Sequence, residues 1–288
     1  MILAAAAVIS GLYWTDVGDK QALVCPIEIV SQCMQMLTPA VRQQLPISDA
    51  QIRRIMGLRT AMVMPANDTN FAGIVLVNTH VHIAELSAYL TTNTAPVTRT
   101  QRYPLALVHQ EQVSLWHELG HLINLGLMGD ELPAKLTPYQ HEWLADVYAL
   151  WRSVQETNEL TLAWQQYHRR NLDVMGDVAN MSHWSPPMLI QVLTKYDISQ
   201  IRQFTKYPDF IRTLYPTLVQ YSADELAEYA SLLQRTFGPG VVQPLPDYMF
   251  WRKSALGRYL APTLTTLLGP QAGNTWLTQH GMLTESYR

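Results

Sequence analysis

The sequence predicts a helix-rich α+β fold, and two observations carry that expectation. Two short runs, Ala61-Met62-Val63-Met64 and Ile74-Val75-Leu76-Val77, read as strands around the turn-rich connection Pro65-Ala66-Asn67-Asp68-Thr69-Asn70. From Leu105 onward apolar residues recur almost throughout at three- and four-residue intervals, the pattern of amphipathic helices. The chain has 288 residues, 48% of them hydrophobic, which suffices for a sizeable core in one large domain or two. Only 15% are charged, against about 25% in typical domains. The net charge is −3 and no basic run interleaves with aromatics, so a nucleic-acid partner is not expected.

At the N-terminus, Met1–Ile9 is apolar but far short of the roughly 20 residues that span a bilayer. It is similar to the apolar part of an export signal without the positive start, and a buried first helix fits it as well. No other stretch is long enough for a transmembrane helix, which leaves peripheral membrane contact as the only membrane association expected. Cys25 and Cys33 are the only cysteines. On one continuous helix they would stand about 12 Å apart, too far to bridge. A turn at Pro26 would let them pair; the alternative is two reduced, buried thiols. A bridge would favour a periplasmic or secreted location, with the cytoplasm as the alternative.

Ser48 caps an expected helix that runs to Gly57. His80 and His82 alternate with Val81, so they are expected on one polar strand face rather than in a second metal site. Thr91–Pro104 reads as a loop leading into the next helix.

That next helix carries the chemistry. Trp116-His117-Glu118-Leu119-Gly120-His121 contains H-E-x-x-H on a helical pattern marked by Leu115, Leu119 and Leu122. Histidines four apart lie one above the other on a single face, so both rings can reach one metal ion. Glu118 is turned about 100° from His117, where a carboxylate can take a proton from an activated water without ligating the metal. Asn124 and Leu127 stand where a three-histidine extension would need glycine and histidine, so the third ligand must come from elsewhere. After a loop, Glu142 and Asp146 are again four apart on a helical pattern. Glu142 can complete the metal shell, in preference to its neighbour His141. Asp146 can accept the spare N–H of a ligand histidine and fix its tautomer.

His117-Glu118-x-x-His121 followed by Glu142-x-x-Ala145-Asp146 resembles a gluzincin zinc metallopeptidase over residues 113–150. Two branches fit. The HtpX-like and CAAX-protease-like branch shares E-x-x-A-D, and Ser182-His183-Trp184-Ser185-Pro186-Pro187 is similar to its later S/T-H-P segment, with Trp184-Ser185 inserted. The ImmA/IrrE-like branch shares H-E-L-G-H, and its glutamate motif is similar to Glu142-x-x-Ala145-Asp146-x-Tyr148-Ala149. The resemblance implies a zincin-like domain with a small sheet above the metal helix, zinc as cofactor and a peptide or protein substrate. It implies peptide-bond hydrolysis by metal-bound water, with His117, His121 and Glu142 as ligands and Glu118 as base. The alternative is a zinc-dependent regulatory or sensor module with restricted proteolysis. His183 is the first candidate to stabilise the oxyanion, ahead of Tyr139, Tyr148 and His168. The resemblance also implies an edge strand that aligns extended substrate, a role expected of Phe71–Asn78.

The expected organisation is therefore a leader or N-terminal segment at 1–47, a zincin-like core at 48–196, and a helical region at 197–288 packed on it. Further helices are expected at Leu160–Arg170, Pro187–Tyr196, Ser222–Phe237 and Asp247–Leu260, the last ending ahead of Pro262. Tyr248, Phe250 and Trp251 are read as core aromatics, with a substrate pocket as the second reading.

Overall fold

A four-stranded mixed sheet and the helices around it confirm the helix-rich α+β class. The computed structural model describes residues 11–45, 48–57, 59–94, 97, 103–238 and 249–283, so Met1–Ile9 and Tyr248 lie outside the described residues. Tyr13–Val17 (β1) and Lys20–Pro26 (β2) form a hairpin in register from Tyr13↔Val24 to Val17↔Lys20. Its two-residue turn is Gly18-Asp19, and Gly18 takes a φ of +61°, which glycine adopts without strain. Three short helices follow: Val30–Met36 (α1), Pro39–Gln44 (α2) and Asp49–Met56 (α3). Ser48 and Gln51 close a capping box on α3, as the expected cap at Ser48 requires.

The chain then returns as Ala61–Pro65 (β3) and Phe71–Val77 (β4). The strand order is β1-β2-β4-β3, with β2 and β4 parallel and the outer pairs antiparallel. Thus β4 is an interior strand and the free edge beside it belongs to β3. This corrects the expectation that Phe71–Asn78 would present an open edge. All seven residues of β4 are buried, and such a continuous apolar run belongs to a strand covered on both faces. Leu23, Cys25, Ile74 and Leu76 pack onto α1–α3, while Ala22, Val24, Val75 and Val77 face the central helices. Because β1 and β2 belong to the same sheet as β3 and β4, the sheet spans the expected boundary at residue 47.

Cys25, at the end of β2, is bridged to Cys33 on α1, with Cα atoms 6.2 Å apart. A 3-10 turn over Ile27–Ile29 breaks the chain direction and brings them together. His80 and His82 do not lie on a strand. The strand ends at Val77, His80 pairs with Glu28 at 3.2 Å, and His82 precedes Ile83–Thr92 (α4). Thr91 and Thr92 close that helix instead of opening a loop.

The lower half is helical: Gln110–Leu127 (α5), Pro138–Thr157 (α6), Thr161–Gly176 (α7), Pro186–Lys195 (α8), Ile198–Gln203 (α9), Tyr207–Leu214 (α10), Ala223–Phe237 (α11), Phe250–Leu268 (α12) and Pro270–Gln279 (α13). Pro262 does not end α12 as expected. It removes the hydrogen bond to the carbonyl four residues back. The adjoining Tyr259 carbonyl accepts from Tyr167 Oη at 2.6 Å and from Asn171 Nδ2 at 2.9 Å, so α7 satisfies the weakened turn. Phe250 and Trp251 are 54% and 56% exposed rather than core residues. Among the described residues, no helix is long and apolar enough to cross a membrane.

Replacing both cysteines by serine should cost about 2–3 kcal/mol, the chain-entropy value for so short a closed loop. Urea unfolding of the variant beside the oxidised wild type measures it. Equal midpoints would mean that β2 and α1 already hold this loop without the bridge.

Candidate metal centre

Helices α5 and α6 cross at Gly120 and Ala145. A Cβ on Gly120 would lie 2.9 Å from the Ala145 Cα and carbonyl oxygen, so only glycine permits this approach. Val113, Trp116, Leu119 and Leu122 turn the apolar stripe of α5 into the core that it shares with the sheet and α6. His117 and His121 then face Glu142. Thr137 and Gln140 form a capping box that starts α6, with Pro138 in its first turn, which fixes where Glu142 falls on the helix.

The nitrogen and oxygen donors of His117, His121 and Glu142 all lie within 4.8 Å of one another. His117 Nε2 is 3.2 Å from His121 Nε2 and 3.3 Å from Glu142 Oε2; His121 Nε2 is 3.8 Å from that oxygen. Glu142 Oε2 is buried and makes no hydrogen bond, although imidazoles surround it. Two neutral-capable imidazoles and an orphaned carboxylate oxygen fit a metal ion, and these residues could hold one. His141 is not part of this group.

Asp146 anchors the site from behind. It accepts from His117 Nδ1 at 2.7 Å, which directs Nε2 to the cluster. It also accepts from Gln166 Nε2 at 2.8 Å, Arg170 Nε at 2.8 Å, Arg170 Nη2 at 3.0 Å and Ser185 Oγ at 2.5 Å. Burial would raise the Asp146 carboxyl, but Arg170 and His117 hold it well below the usual carboxylate range. Burial would lower His117, yet Asp146 outweighs it and lifts the imidazole to about 9. His121 has no such partner, so burial and the neighbouring His117 bring it down to about 3. Glu142 is brought down to about 2, since His117 and the other imidazoles overcome its burial.

Glu118 is partly buried beside the cluster, where burial raises its pKa against the pull of His117. The Val63 backbone on β3 lies near its carboxylate and pulls weakly against burial. His183 is brought to the same place: its Nε2 stands 3.3 Å from Glu142 Oε2 and its side chain is 42% exposed. The other oxyanion candidates are elsewhere. Tyr148 packs edge-on against Tyr207, His168 bonds Thr263 Oγ1 at 3.0 Å, and Tyr139 is buried with no hydrogen bond to its hydroxyl among the described residues.

Gln166, Arg170 and Ser185 were not foreseen. A signal for the first two was present, since they continue the Leu162 face of α7 at four-residue spacing and so place polar groups on a buried stripe. Trp184 and Ser185 have structural roles. Trp184 is fully buried with Nε1 on Asn171 Oδ1 at 2.9 Å, and Ser185 reaches Asp146. No family model matches the chain, and no curated protein or solved structure matches it.

Asp146→Asn should lower metal affinity about 10–100-fold by loosening His117. A competition titration against a chelator reads this directly, and wild-type affinity would remove Asp146 from the site. Gly120→Ala should cost about 1–3 kcal/mol by forcing the helices apart. A thermal melt at the wild-type value would show that the crossing can relax.

Proposed function

We propose that this chain is a zinc-dependent metallopeptidase of gluzincin type. The observation that carries the reading is Glu118 set beside a His117, His121 and Glu142 donor group whose first histidine is oriented by a buried carboxylate. Three protein ligands of this kind suit zinc with a fourth position open to the reaction. Bound there, zinc would polarise the substrate carbonyl and acidify the attacking water.

The protein's own residues supply the rest. Glu118, raised by burial, takes the proton of the attacking water and delivers it to the leaving amine. His183 donates from the open side to the oxygen on which charge develops. Its Nδ1 faces Ser182 Oγ at 3.1 Å, and a hydroxyl donating there leaves the proton on Nε2. The free edge of β3 aligns an extended peptide. Thr60 and Ala66 bond to β4, so the alternation of an antiparallel pair turns the Ala61 and Val63 backbone outward, next to Glu118. The Cys25–Cys33 bridge supports a periplasmic or secreted setting for this activity.

Glu118→Gln should retain zinc and lose about 10²–10⁴-fold in hydrolysis, because an amide cannot take the proton. The measurement pairs metal analysis with cleavage of casein or a peptide library. Full zinc with undiminished cleavage would rule out Glu118 as the base.

A further inference from the structure

A small enclosed cavity borders the carboxylate that holds His117. Its walls come from four helices: Val113 of α5, Ala149 of α6, Ala163 of α7 and Leu189 of α8 are all buried and apolar. Two polar side chains, Asp146 and Gln166, also line it. His117, Glu118, His121 and Glu142 do not, which separates the cavity from the metal group. It measures about 10 Å³, the least space in which one water fits and too little for two.

Gln166 sets the polarity of this space. Its Nε2 donates to Asp146 Oδ1 at 2.8 Å. An ionised carboxylate can only accept, so the amide has one workable orientation and Oε1 is the atom left to meet the cavity. Gln166 is buried, and among the described residues nothing donates to Oε1. A buried acceptor without a donor bears the whole cost of leaving water. On the same wall, Asp146 Oδ1 accepts from His117, Gln166 and Arg170, whereas Oδ2 accepts from Arg170 and Ser185. Oδ2 can therefore take a further donor, as its twin does. We propose that the cavity binds one ordered water, which donates one proton to Gln166 Oε1 and the other to the Asp146 carboxylate. These two acceptors distinguish it from a space walled by aliphatic groups alone, which stays dry. The water closes a ring in which it and Gln166 Nε2 both donate to the carboxylate. It joins the donor set around Asp146, and it is a different water from any that a metal ion would hold.

A high-resolution crystal structure of the full chain tests this without any variant. Density for one water should lie within hydrogen-bond distance of both Gln166 Oε1 and an Asp146 oxygen. A cavity without such density would overturn the inference, as would a Gln166 whose Oε1 accepts from the protein instead. In solution, magnetic relaxation dispersion of water oxygen counts long-lived internal waters. Gln166→Met keeps the length of the side chain and removes both polar atoms, so it should hold one such water fewer than the wild type. An equal count would overturn the site. Melting temperatures supply the third measurement. Ala163→Val intrudes on the cavity; in the wild type it expels the water and strands Gln166 Oε1. In the Gln166→Met background the same substitution meets a dry space. Its effect on melting should therefore be worse in the wild-type background, by roughly 2–6 °C for a chain of this size. Equal shifts in the two backgrounds would mean that no water couples the two positions, and would overturn the proposal.

Discussion

The structure depends on one buried carboxylate. Asp146 collects His117 from α5, Gln166 and Arg170 from α7 and Ser185 from the start of α8, while sitting on α6 itself. An ionised carboxylate with no exposure is tolerable only if every lone pair is met, and here the partners do so. Its loss would leave Arg170 buried without a counter-charge and release the ring of His117 together. The constraint that orders the metal group is thus the same one that docks four helices. A side-chain cluster built this way is rigid because its supports are also fold contacts.

Such a hub requires the helices to come close. Gly120 and Ala145 bring the backbones of α5 and α6 together, and the aromatic packing of Tyr148, Trp151 and Tyr207 fills the space beyond. The sheet acts on the opposite side of α5. There β3 packs on the helix that carries Glu118, whose carboxylate lies near the Val63 backbone. Glu118 is therefore set against the sheet, and the donors of His117, His121 and Glu142 are brought together by the helical half.

The parts legible in the sequence are those set by local spacing. His117 with His121 and Glu142 with Asp146 are four-residue pairs, and a helix converts that spacing into a shared face whatever surrounds it. The capping residue Ser48 and the strand runs at 61–64 and 74–77 were legible for the same reason. What was not legible depends on partners distant in the chain. The β1–β2 hairpin has a clear turn at Gly18-Asp19, but its place beside β4 arises only once three helices carry the chain across the sheet. The identity of the edge strand is likewise a matter of pairing, which the continuous apolar run of β4 does not by itself reveal. Pro262 reads as a helix stop until Tyr167 and Asn171 are known to satisfy the adjoining carbonyl.

The segment around His183 is placed by the two residues that follow it. Trp184 buries its indole against Tyr229 and Tyr259, with its N–H on Asn171, and Ser185 ties itself to Asp146. Two anchors immediately after His183 fix the direction of the chain, and the 3-10 turn over Val178–His183 fixes it from the other side. The imidazole is left partly open to solvent at 3.3 Å from Glu142. The Ser182 hydroxyl at Nδ1 and the anchors along the chain hold this histidine, and its Nε2 is turned to Glu142. The same hub that orients His117 therefore also sets His183 in place through Ser185.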